Sequence, residues 1–175
     1  VLMAQLLREL KGEVSLGAVF SSDEEMGGAT TREMVERGYG AGRLVLVLDG
    51  PAYAIGVAQK GILTLALRAG GKACHSSKPW TGDNAIDRLL EGYAKIRDLF
   101  PPVNPGDEWH NTLAATCIHG GTVHNRVPDS AELTVNIRFI DSTERESILE
   151  RIEALSGLPV EVEMECPPVV FDENL

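Results

Sequence analysis

Residues 61–166 pass through a fixed order of hydrophobic periodicities, and that order constrains the fold more than any other feature of the chain. Residues 62–69 alternate, with Leu63, Leu65 and Leu67 on one face, the two-residue period of a half-buried strand. Gly70-Gly71 and the segment around Pro79 lead to a helix predicted from about 83 to 99, where Ile86, Leu89, Leu90, Tyr93 and Ile96 form one stripe to be buried. A proline-rich loop, Pro101-Pro102-Val103-Asn104-Pro105-Gly106, precedes a strand at 112–118, and Gly120-Gly121 connects it to a strand at 131–140. Thr143-x-x-Glu146 fits a capping box for a helix through Leu155; Gly157 ends it and 159–165 returns as a strand. The order β-α-β-β-α-β is that of the split βαβ, ferredoxin-like arrangement, so a compact domain is expected over 61–166.

Before residue 61 the rhythm differs. A helix at 1–11, a strand at 14–20, a helix at 28–37 and a strand at 44–48 alternate as in a mainly parallel, helix-covered sheet. The whole is expected to be α/β, with part of such a sheet over 1–60, the smaller domain inserted or appended, and residues 167–175 starting the return to the first domain. Val1 falls within an amphipathic helix and the chain stops soon after Pro167-Pro168, so both ends are expected to be cut.

Composition narrows the partners. A net charge of −10 disfavours a phosphate backbone or an anionic membrane surface, so neither nucleic acid nor membrane is expected and small molecules are. No apolar run approaches the roughly 20 residues of a spanning helix, and no export signal opens the chain. Cys74, Cys117 and Cys166 are widely spaced without a Cys-x-x-Cys pair, which suits reduced thiols and a cytoplasmic location.

The candidate chemistry sits at element ends. Glu24 and Glu25 follow the apolar stretch 14–20, at the strand edge where open α/β sheets bind ligands. Adjacent carboxylates can divide labour, one binding a metal and the other serving as general base on its water; carboxylates ahead of a helix also simply favour its dipole. Asp49 emerges at the end of the apolar strand 44–48, as a further oxygen ligand or as a turn residue before Gly50-Pro51. His75 follows a strand and precedes a helix. Its neighbour Cys74 points to the opposite face in an extended segment, which disfavours a Cys-His nucleophile and favours an imidazole that polarises a scissile carbonyl. On the strand 131–140, Leu133, Val135, Ile137 and Phe139 share a face. Arg138 is therefore presented on the other, as a carboxylate anchor or a solvated strand residue. Asn125 reads as a turn residue whose amide can serve an interdomain site.

Taken in order, Ser-Asp-Glu24-Glu25-x-Gly-Gly, Leu48-Asp49-Gly50-Pro51, Gly71-Lys72-Ala73-Cys74-His75-Ser76-Ser77-Lys78-Pro79 with Gly82-Asp83-Asn84-Ala85-Ile86, Gly120-Gly121-Thr122-x-x-Asn125-Arg126-Val127-Pro128, and Asn136-Ile137-Arg138-Phe139 resemble the co-catalytic zinc peptidase and amidohydrolase family. That family includes acetylornithine deacetylase, succinyl-diaminopimelate desuccinylase, aminoacylase, carnosinase and glutamate-releasing carboxypeptidases. The resemblance implies metal-dependent hydrolysis of an N-acyl amino acid or small peptide, with two Zn2+ ions, or Co2+ or Mn2+ in their place. It implies Glu24 as general base, Glu25 and Asp49 as metal ligands, and Asn125 and Arg138 as substrate-binding residues, although many members carry Glu where Asp49 stands. It further implies that His75 stabilises the oxyanion in the site of a dimer partner, the smaller domain being the dimerisation or lid domain of a homodimer.

The family's upstream His-x-Asp, its bridging Asp and its C-terminal histidine ligand have no counterpart here, so the chain is expected to be a central fragment inactive alone. The rival reading is a non-catalytic dimerisation or interaction module. A third, a small-molecule binding domain anchored on Arg138, leaves Glu24, Glu25 and Asp49 unused.

Overall fold

The computed structural model describes residues 2–10, 12, 15, 17–40, 45–47 and 56–171. The chain divides into two compact units, Val1–Ala54 and Ile55–Leu175.

In the first unit, α1 spans Leu2–Glu9, a 3-10 turn covers Glu24–Met26, and α2 runs over Ala29–Glu36. The expected parallel sheet is not formed among the described residues: 17–20 and 45–47 carry no strand. Phe20 is 74% exposed and Val47 80% exposed. An apolar strand persists only when neighbours pair its backbone and both faces are covered, and no described segment supplies that cover.

The second unit is built on β2 and β6. Its elements are β1 (Ala58–Gln59), β2 (Gly61–Gly70), β3 (Cys74–His75), α3 (Ala85–Arg97), β4 (Thr112–Gly120), β5 (Arg126–Val127), β6 (Ser130–Phe139), α4 (Arg145–Ser156), β7 (Val160–Cys166) and β8 (Val169–Val170). Four strands form an antiparallel sheet in the order β4-β6-β2-β7, with β2 and β6 in register from Gly61↔Phe139 to Gly70↔Ser130. The alternation decides which face is buried. Leu63, Leu65 and Leu67 of β2 and Leu133, Val135, Ile137 and Phe139 of β6 meet Leu89 and Ile96 of α3 and Ile148 and Ile152 of α4 in one core. Each such side chain taken fully out of water contributes roughly 1.5–3 kcal/mol.

Two local expectations are corrected. Leu90, placed in the buried stripe of α3, is 47% exposed, because the helix turns it past the edge of the contact with the sheet while Ala85 and Gly92 close the seam. The capping box at Thr143 is not used. Asp141 caps instead, its carboxylate accepting from Thr143 N at 2.8 Å and Thr143 Oγ1 at 2.7 Å, and a 3-10 turn at Ser142–Glu144 runs on into α4. At the start of α3, Asn84 is the N-cap and accepts from Ile86 N at 3.0 Å.

Short ladders tie the sheet's two ends. At one, β1 pairs with β8; at the other, where β2 ends and β6 begins, β3 and β5 form a two-stranded ribbon with His75 opposite Arg126.

Candidate functional site

The ribbon fixes His75 from several sides. Its ladder partner lies one residue after Asn125, whose backbone carbonyl accepts from Ser76 N at 2.9 Å. The structure thus brings His75 and Asn125 together. The next bond closes the turn, Lys78 N donating to the His75 carbonyl at 2.9 Å. Behind it, Lys72 and Asp83 bridge, and Gly82 packs so closely that a Cβ there would lie 2.5 Å from Lys72 O and 2.6 Å from Cys74 Sγ.

The imidazole is oriented by its own turn. Nδ1 of His75 accepts from Ser77 N at 3.2 Å and lies 2.9 Å from Ser77 Oγ. A backbone N–H can only donate, so the proton of a neutral ring is on Nε2, and the exposed edge of His75 offers an N–H donor.

Arg138 stands elsewhere on the same unit. It pairs with Ile62 and Thr112 on the open face of the sheet, its Nε donating to Asn136 Oδ1 at 3.0 Å, while Asn136 Nδ2 donates to Thr64 Oγ1 at 3.0 Å. Among the described residues Arg138 makes no ion pair. Ser130 opens β6 at the ribbon end of the sheet, and from it to Arg138 are eight strand steps of about 3.4 Å, about 27 Å in all. The structure therefore does not gather Arg138 with His75 and Asn125. Toward the ribbon end, Arg68 on that face is held by Glu132 at 2.7 Å and by Glu161, both of which raise its pKa, the bond to Glu132 most.

In the first unit, Glu24 and Glu25 sit exposed on the 3-10 turn, and Asp23 supports them. Its backbone carbonyl accepts from Met26 N at 3.1 Å and Gly28 N at 2.9 Å. Its carboxylate accepts from Thr30 N at 2.8 Å, an otherwise unpaired amide in the first turn of α2, and from Ser21 Oγ at 3.1 Å. The Thr30 amide, foremost, holds this carboxyl below its ordinary range. Gly27, at φ 97°, makes the left-handed turn out of the acidic pair. Asp49 lies outside the described residues.

A zinc site takes three or four nitrogen, sulfur or oxygen ligands. Among the described residues no group of three or more His, Cys, Asp or Glu side chains is gathered. Glu25 fits such a site in kind, but the described set does not hold a metal by itself.

Sequence reasoning passed over Asp23 and Ser77. The signals were present: a Ser-x-Asp lead-in to the acidic pair, and a serine two residues beyond the histidine in a turn closed by Lys78-Pro79.

The second unit is a four-stranded antiparallel sheet whose buried face packs on two helices. A family model described as the M20 peptidase dimerisation domain matches residues 57–158, more than half of the chain, and the chain belongs to that family. Over 94% of its length it is 29% identical to a Staphylococcus aureus protein named "Probable succinyl-diaminopimelate desuccinylase", covering 48% of that relative. The chain spans about half the length of the curated relatives it matches. Among solved structures it is similar to a tripeptidase from S. aureus (TM-score 0.53, 19% identity, 68% of this chain and 33% of that one). It is also similar to aminopeptidase PepT from Bacillus cereus (TM-score 0.52, 22% identity, 67% and 33%). At these identities the structural likeness is one of fold. The named relatives are hydrolases. Among the described residues no helix is long and apolar enough to cross a membrane.

Proposed function

We propose that this chain is the central part of a metal-dependent amidohydrolase that cleaves the amide bond of an N-acyl amino acid or small peptide, N-succinyl amino acids being the first class to try. Support comes from membership of the peptidase dimerisation-domain family and from relatives named as a desuccinylase and peptidases. The observation that carries the reading is the outward Nε2–H of His75, a donor held ready by its own turn on a ribbon shared with Asn125.

In the mechanism, Glu24 takes the proton of the attacking water and returns it to the leaving amine. Nε2–H of His75 donates to the oxyanion that develops on the scissile carbonyl, where a preoriented donor is strongest. Asn125 binds the substrate and Arg138 holds its carboxylate through a charge-assisted pair. Two divalent metal ions, Zn2+ or in their place Co2+ or Mn2+, supply Lewis-acid polarisation and an acidified water when bound; Glu25 and Asp49 are the carboxylates this chain offers them. Further ligands belong to the remainder of a longer polypeptide.

The second unit is the lid and dimerisation domain, and the sheet order β4-β6-β2-β7 with α3 and α4 packed on its buried face supports reading it as ferredoxin-like. Homodimerisation is supported by family membership. About 27 Å of sheet separates the Arg138 end from the ribbon end, further than a small substrate spans, so in this reading His75 and Arg138 act on one substrate from two copies.

The test is the whole gene product assayed with N-succinyl and N-acetyl amino acids and tripeptides, before and after chelation. Chelator-sensitive hydrolysis is expected, with turnover lost and metal retained in Glu24→Gln. Loss of metal from that variant would remove Glu24 from the role of base, and dimers without hydrolysis of any of these substrates would leave a dimerisation module.

A further inference from the structure

We infer that Ser77 is a positioning residue that fixes the tautomer of His75, so that its outer nitrogen is a hydrogen-bond donor; the catalytic consequence rests on the hydrolase reading above. The two contacts on Nδ1 come from one residue and from both of its available donors. Ser77 N lies at 3.2 Å, and Ser77 Oγ at 2.9 Å has a rotatable hydroxyl proton to place against the same lone pair. His75 is exposed, and a solvated imidazole is free to exchange its proton between nitrogens unless one is committed. Ser77 commits it. The turn that holds Ser77 beneath the ring is closed by Lys78 N on the His75 carbonyl and anchored by Ser76 N on the Asn125 carbonyl, so the serine is held at both sides. Among the described residues no group takes Nε2–H, which leaves that proton for an acceptor outside this unit.

The measurement is 15N NMR of the histidine-labelled chain at about pH 9, above the ordinary imidazole pKa of about 6.5. Native His75 is expected to show an unprotonated Nδ1 and a protonated Nε2. Ser77→Ala should raise the minor Nδ1–H population about threefold to tenfold, the reach of one net hydrogen bond, and Ser77→Thr should restore the native spectrum. A native tautomer ratio equal to that of the urea-unfolded chain would overturn the inference, and a Ser77→Ala spectrum unchanged from native would overturn the hydroxyl's part in it, the Ser77 amide being retained in that variant. In the whole gene product, kcat should fall in Ser77→Ala in proportion to the Nε2–H fraction lost in those spectra, with KM held and Thr rescuing, the signature of a contact made in the transition state. A fixed tautomer in a product that hydrolyses nothing would remove the hydrolase reading and leave Ser77's hold on the ring standing.

Discussion

Asp141 and Asp23 do the same work in different places, each binding backbone amides at the approach to a helix. For Asp141 the Thr143 amide, and then its hydroxyl, keep the carboxyl below its ordinary range. A folded-state value below the unfolded one of about 3.9 means a stabilisation that is complete above that pH and lost as pH falls through the lowered folded value. Asp141→Asn keeps an oxygen for Thr143 N but cannot titrate. As pH falls from about 5 through the unfolded value of about 3.9 and below, the native chain should therefore lose more of its thermal midpoint than Asp141→Asn; parallel curves would contradict the assignment. This residue was not legible in the sequence, where Thr143-x-x-Glu146 offered a capping box of the right spelling two positions too late. A cap is chosen by where the incoming strand leaves the backbone, and β6 delivers Asp141 at φ −126° and ψ 123°, the extended geometry a cap requires.

Elements were legible where one periodicity decided burial over many residues. β6 buries alternate residues along its whole length, β2 does so apart from Ala66, which is buried as well, and α3 and α4 bury residues at helical spacing, so their positions and, Leu90 apart, their inward faces follow from pattern. The two-residue strands β1, β3, β5 and β8 carry no such pattern, since each exists only through a partner distant in sequence. Residues 17–20 and 45–47 show the opposite failure: a strand-like composition without neighbours to pair it. The β3 region is tied at Gly82, which has space for no side chain. Gly82→Ala should cost about 1–3 kcal/mol in urea unfolding, through a forced shift of Lys72 or Cys74, and should broaden the His75 ring signals. An unchanged midpoint would show that the strap is looser than its packing. In the core beneath, Leu65→Ala should cost about 2–5 kcal/mol without disturbing those signals.

At the scale of the molecule, the candidate residues were legible as types, but their separation was not. A sequence sets Asn125 and Arg138 thirteen positions apart (138 − 125); the sheet puts one at the ribbon beside His75 and carries the other most of a strand length away. That separation turns a candidate site into a proposal about two copies; the family resemblance adds the pairing, His75 of one copy working beside Glu24 of the other. The direct measurement is co-expression of the whole gene product carrying Glu24→Gln with the same product carrying His75→Ala. Each variant alone should be inactive. Random mixing makes half the dimers mixed, each with one intact site of two, so about a quarter of native activity should return. No recovery from mixtures verified to contain mixed dimers would contradict the shared site.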